Sequence, residues 1–336
     1  MNRKLLGVAL LLHALGHAGL GVWAGGKGPL VEVSILTALA MAGYLAAGFG
    51  LLRVDGFRRS WPITLGVATI ASVMLFGTWG HGVFVTGALV DLAIIVAALR
   101  ARLPQYVPEQ EAARIPRHRV LRATASVGAV LAVAYTAVAT LSRPLLVQWG
   151  STPDERAAPM PGEEATMTSP MFYRIDHAVT VRAPADSVWP WLVQLGQDRA
   201  GFYSYDWLER LAGDRVHNAD VINPAWQSLA VGGLVRAVQP GYLGGVFGDS
   251  IGWRVTYLDP GRVLTLENWG AFIVEPLDAT TSRLIVRTRG EGRPSLGMAV
   301  MGPVELLVFE PAHFIMERGM LRGIRDRAEA MVARTD

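Results

Sequence analysis

Residues Leu5–Ala24 read LLGVALLLHALGHAGLGVWA, an uncharged apolar run of the length that a helix needs to cross a bilayer, about 20 residues. Arg3 and Lys4 stand just before it. A membrane helix here changes the solvent against which every neighbouring apolar stretch is read. Four more stretches then read the same way: Val33–Leu52, Trp61–Trp79, Val83–Leu99 and Ala123–Leu141. Val83–Leu99 is short and carries Asp91, and the tight Gly80-His81-Gly82 turn joins it to the preceding stretch as a helical hairpin. Residues 1–142 are therefore expected to form an all-α, multi-span membrane domain. The first stretch has a rival reading as a cleaved signal peptide, with Val22-Trp23-Ala24 before two glycines. Its length and its two histidines favour a retained helix.

Composition agrees with a chain of two unlike parts. Of the 336 residues, 51% are hydrophobic and 18% charged, lean in charge for a soluble protein. Residues 1–150 carry 13 Arg and Lys against 5 Asp and Glu, whereas residues 151–336 carry 18 against 23. The basic excess sits in short segments between apolar stretches, where it orients membrane helices, so no nucleic-acid partner is expected. Arg53, Arg58 and Arg59, then Arg100, Arg102, Arg114, Arg117, Arg119 and Arg122, fall at the same side as Arg3 and Lys4; the other ends show only Lys27 and Arg143. The expected location is the cell membrane, with a cytoplasmic N-terminus and an extracytoplasmic C-terminal domain. The absence of cysteine excludes disulfides, thiolate metal sites and cysteine nucleophiles.

Polar side chains at membrane depth are costly and ask for a partner or a function. His13 and His17 are four residues apart and share a helix face. In the expected topology His13 and Asp91 lie near mid-membrane, and His17, Glu32 and His81 toward the outer surface. These five form a candidate polar cluster. It admits metal or haem ligation, a His–Asp proton relay, or hydrogen bonds that only fix helix packing. With no third ligand spaced on the same helix, the packing reading leads and no metal is expected.

Residues 143–170 hold Pro144, Pro153, Pro159, Pro161 and Pro170 among Ser, Thr and Glu, the composition of an extended linker. An α+β pattern follows over 171–336: a strand at Tyr173–Val181, a helix opened by Pro184 and Asp186 and running to Gly196, and a short helix at Ser204–Leu211. Strand-like runs come next at Leu234–Val238, Ser250–Leu258, Val263–Trp269, Ala271–Pro276 and Arg283–Thr288. The glycines at 241, 244, 245 and 248 open no helix after a strand, so they do not read as a phosphate loop. A long helix from about Ala312 to Val332 puts His313, Phe314, Glu317, Met320, Leu321, Ile324, Ala328 and Met331 on one face. A curved antiparallel sheet wrapped around that helix is the expected layout.

Several strings carry a resemblance: APADSVWPWL (183–192), GQDRAGFYSYDWLE (196–209), HNAD (217–220) and EPAHFIMER (310–318), with the lead-in from Trp149-Gly150 to PGEE (161–164). With the layout, they resemble the START-like, or SRPBCC, superfamily over roughly residues 149–333. The resemblance implies a helix-grip fold and a cavity between sheet and final helix that takes lipids, polyketides or other apolar molecules. Some members of that superfamily catalyse reactions such as aromatic cyclisation.

The leading expectation is a membrane-tethered binding domain for a lipid or another apolar small molecule. Trp189, Trp191, Tyr203, Tyr205, Trp207, Trp226, Trp253 and Trp269 supply aromatic area, and Asp206, His217, Glu267, His313 and Glu317 supply polar contacts. Ordinary core packing is the other reading of each ring. A cyclase or dehydratase would draw its acid and base from the same five polar residues. No nucleophile elbow or cofactor fingerprint accompanies them, and no cofactor is expected. A third reading makes the membrane helices a transport or redox module centred on His13, His17 and Asp91, with the outer domain as a sensor.

Overall fold

The computed structural model of the chain describes residues 3–25, 30–77, 91, 93, 96, 116–159, 161, 174–211, 213, 217–245, 251–289 and 296–334. It divides into two compact units, Met1–Pro144 with Pro294–Pro311, and Leu145–Arg293 with Ala312–Asp336.

The first unit is helical. It holds α1 (Arg3–Gly25), α2 (Leu30–Leu51), α3 (Trp61–Gly77) and most of α4 (Pro116–Val147). Leu30–Leu51 and Thr124–Val147 are long and apolar enough to cross a membrane, and Trp61–Leu75 is a shorter apolar helix. The expected span at Val83–Leu99 and its Gly80-His81-Gly82 turn lie outside the described residues, apart from Asp91, Ala93 and Val96, which are helical. Helices α1, α2 and α3 pack through small residues, which let backbones approach closely. A β-carbon at Gly43 of α2 would meet the Ala68 side chain of α3 at 2.8 Å. The neighbouring Tyr44 is thereby pressed into the unit and fully buried. On the outside α1, α3 and α4 expose large apolar side chains such as Leu12, Ile63 and Leu121.

Residues 294–311 belong to this first unit, whereas the sequence pattern had placed them in the α+β domain. Leu296–Val304 (α8) is an uncharged apolar helix that packs along α1, and a π-helical stretch, Glu305–Phe309, leads from it to the final helix. Arg143 is a second correction. It lies within α4, not in a loop, and its buried guanidinium makes a two-pronged ion pair with the buried Glu310 carboxylate, Nε to Oε2 at 2.8 Å and Nη2 to Oε1 at 2.8 Å. A planar guanidinium matches a carboxylate in this way, which removes the cost of leaving either charge alone.

The linker is also less extended than its prolines imply. Residues 143–147 complete α4, and Pro153–Ala157 is a helical turn (α5). Thr152 caps it by accepting from the Glu155 backbone N–H while Glu155 accepts from the Thr152 N–H, a capping box with proline in the first turn.

The second unit is an α+β layer pair. Six antiparallel strands, β1 (Arg174–Val181), β2 (Leu234–Arg236), β3 (Gly252–Asp259), β4 (Val263–Leu266), β5 (Gly270–Pro276) and β6 (Ser282–Arg289), stand in the order β1-β6-β5-β4-β3-β2. Between β1 and β2 come α6 (Ala185–Val193) and α7 (Asp206–Leu211). Helix α6 stops at Val193, short of the expected Gly196, because Gly196 takes a φ of +134° and bridges to Gly201. The long helix α9 (Glu310–Val332) buries Glu317, Met320, Leu321, Ile324 and Ala328, the face read from the sequence. Those apolar residues share one core with Val179 and Val181 of β1, Leu264 and Leu266 of β4, Phe272 and Val274 of β5, and Trp191 and Leu192 of α6. At Gly323 the helix is bare enough for another backbone to touch it: a β-carbon there would sit 2.0 Å from the Tyr203 carbonyl oxygen. Gly323 thus fixes the loop between α6 and α7 against α9.

Candidate functional site

Each unit gathers polar side chains in its interior. In the α+β unit the centre is Glu317, one turn into the buried face of α9. His177 of β1 is its closest partner, Nδ1 to Oε2 at 2.5 Å. Trp269, between β4 and β5, donates its indole N–H to Oε1 at 2.9 Å, and His313 places Nε2 3.2 Å from the same oxygen. The other nitrogen of His177 lies 2.6 Å from the Leu146 carbonyl. That oxygen can only accept, so Nε2 donates to it and a proton is held between Nδ1 and the Glu317 carboxylate. The side chains of His177 and Glu317 are 0% and 1% exposed, so the pair is shielded from water.

Burial is the largest influence on the Glu317 carboxyl and would by itself push it up. The His313 and His177 imidazoles, through charge and hydrogen bonds, together outweigh it and hold the group well below the usual carboxylate range. Around this centre stand aromatic rings. Trp253 and Trp269 meet at 4.4 Å between centroids, Phe202 lies 5.8 Å from Trp253 and 5.7 Å from Trp269, and His313 lies 6.4 Å from Trp269. Both tryptophans are half-buried.

The remaining expected ligand contacts are not among the partners of Glu317. Trp191 and Tyr203 are core residues in edge-to-face contact at 5.7 Å, with the Tyr203 hydroxyl accepting from the Gln194 side chain at 2.8 Å. Burial pushes the Tyr203 phenol up, so it stays neutral. Tyr205 lies over Gly319. Asp206 binds the Asn218 side chain and stands 3.6 Å from His217. His217 and Trp207 are exposed, at 73% and 59%. Glu267 is half-buried on the turn after β4, its backbone N–H bonded to Arg254. Trp189 and Trp226 are half-buried at the edge of the core.

In the helical unit His13, His17 and Asp91 come together. His13 Nε2 is 2.5 Å from Asp91 Oδ1 and 3.3 Å from His17 Nε2. Tyr44 donates to Asp91 Oδ1 at 2.9 Å and Ser72 donates to Oδ2. The Tyr44 ring stacks on His17 at 5.5 Å. Glu32 is exposed at the start of α2, and His81 lies outside the described residues.

Sequence reasoning had not included Tyr44, Ser72 or His177. The first two are isolated polar residues in apolar helices, which was their only signal. His177 was legible from the alternation of β1, sharing a face with Ile175, Val179 and Val181. Comparison with family models, with curated proteins and with solved structures yields no match.

Removing Glu317 strands His177 and the Trp269 N–H in the core, so Glu317→Ala should cost about 3–5 kcal/mol, read as a lowered unfolding midpoint of the detergent-solubilised chain. Because the folded-state carboxyl is depressed, its contribution is complete above the unfolded value of about 4.3 and fades as pH falls toward the folded one. The stability gap between wild type and Glu317→Gln should therefore narrow below about pH 4.3, and a gap that stays constant into that range contradicts the assignment.

Proposed function

We propose that this chain is a membrane-tethered binding protein for a lipid or another apolar small molecule, which docks on the α+β unit against Phe202, Trp253 and Trp269 beside His313 and Glu317. The observation that carries the reading is the half-buried tryptophan pair, 4.4 Å between centroids, set next to an ionised carboxylate and its imidazoles. Binding sites for apolar ligands combine such aromatic area with a few fixed polar groups. The order of strands and the long final helix agree with the START-like resemblance, which places a ligand between those two layers. Binding is favoured over acid–base catalysis because Glu317 is held far below neutrality, where it is a poor general acid, and is fully engaged by three partners.

On this reading the helical unit crosses the membrane five times, with Val83–Leu99 as the fourth span and the C-terminal unit outside the cytoplasm. Apolar side chains left exposed on α1, α3 and α4 support contact with lipid, since soluble proteins seldom expose such continuous apolar surface.

Native mass spectrometry of the full chain in detergent should find a co-purifying apolar molecule. Trp253→Ala should lose it, and Trp207→Ala should keep it. Loss in Trp207→Ala with retention in a folded Trp253→Ala would place the ligand elsewhere. For topology, alkaline phosphatase fused after Asp336 should be active and a cytoplasm-dependent fluorescent protein dark. The opposite pair of results would remove one span, and Val83–Leu99 would be the one at fault.

A further inference from the structure

In the polar cluster of the helical unit His13, Tyr44 and Ser72 bond Asp91, and His17 Nε2 reaches the Ser72 hydroxyl at 3.5 Å. His13 Nε2 faces Asp91 Oδ1 at 2.5 Å and His17 Nε2 at 3.3 Å. A neutral imidazole nitrogen offers one hydrogen or one lone pair. If His13 Nε2 donates to Asp91, His17 Nε2 is left to the Ser72 hydroxyl at 3.5 Å, the outer limit of a hydrogen bond. If His13 Nε2 accepts from His17, it presents a lone pair to the carboxylate at 2.5 Å. A cation at the point where the three atoms converge uses all three lone pairs at once.

The three side chains are near enough for one ion to draw them together. One ligand atom from each of His13, His17 and Asp91 lies within 4.8 Å of the others. The 3.3 Å between the two Nε2 atoms matches the edge of a tetrahedron drawn with metal–nitrogen bonds of about 2.0–2.1 Å. The i, i+4 spacing on α1 aims both rings at one point. Asp91 is held on both oxygens, by the Tyr44 hydroxyl on Oδ1 and the Ser72 hydroxyl on Oδ2, as ligating carboxylates are. Two imidazoles and one carboxylate suit a first-row divalent ion of the zinc type, not magnesium or calcium, which take oxygen ligands. Three protein ligands leave a fourth position for water or a small ligand.

We propose that this chain binds one zinc-type divalent ion inside its helical unit through His13 Nε2, His17 Nε2 and the Asp91 carboxylate. The site is independent of ligand binding by the α+β unit.

The test uses the full chain in detergent, stripped with a chelator and dialysed against Zn²⁺, Co²⁺ or Mg²⁺. The wild type should retain about one Zn²⁺ or Co²⁺ per chain and no Mg²⁺, the Co²⁺ form should show the intense visible bands of tetrahedral cobalt, and Zn²⁺ should raise the unfolding midpoint. His17→Ala and Asp91→Asn should abolish uptake. Ser72→Ala should weaken it by about 10- to 100-fold, while Glu32→Gln leaves it unchanged. A wild type that retains neither ion and gains no stability from Zn²⁺ overturns the site, whatever the variants do. Equal uptake by wild type and a folded Asp91→Asn overturns it as well.

Discussion

A carboxylate buried without a partner is expensive, and Glu317 is the point at which the α+β unit meets that cost. Its oxygens take a proton-bridged contact from His177 on the edge strand β1 and an indole N–H from Trp269 at the entry to β5. One partner stands on a strand and the other on the β4–β5 turn of the same sheet, so a single side chain fixes where α9 lies over it. The apolar face of α9 then packs by area, but area alone has no direction; the carboxylate supplies the register along the helix. It also draws the rings of Trp269, Trp253 and Phe202 to one end of the core, where two of them are left partly open.

The helical unit meets the same constraint with the same chemistry. Asp91 is 1% exposed and is surrounded by His13, Tyr44 and Ser72, from three different helices. Close approach at Gly43 brings α2 near enough to α3 for Tyr44 and Ser72 to reach one carboxylate. In both units histidine is the chosen neighbour of a buried acid, since it can donate, accept or ligate without carrying a permanent charge.

Much of the fold was legible because it rests on periodicity. The 3.6-residue repeat from His313 to Met331 gave the buried face of α9, and each expected strand of the sheet appears within a few residues of its place. His13 and Asp91 could be paired from depth alone. What stayed hidden depends on contacts between distant parts of the chain. The Arg143–Glu310 pair and the His177–Glu317 pair each join residues more than a hundred positions apart, and no local pattern announces them. The apolar segment Leu296–Val304 is too short to read as a span, so its place beside α1 could not be seen. Trp207 and His217 show the limit of residue type as a guide to burial. Residue type pointed inward, but both side chains are exposed to solvent.

The measurement that reaches this account most directly is the ¹H–¹⁵N imidazole NMR spectrum of His177 in the full chain, assigned through a His177→Gln variant. The account predicts a far-downfield proton on Nδ1, shared with Glu317 and protected from exchange, together with a hydrogen on Nε2 bonded to the Leu146 carbonyl. An Nδ1 without a hydrogen, or one that exchanges as freely as an exposed histidine, would show that Glu317 does not anchor α9 to the sheet.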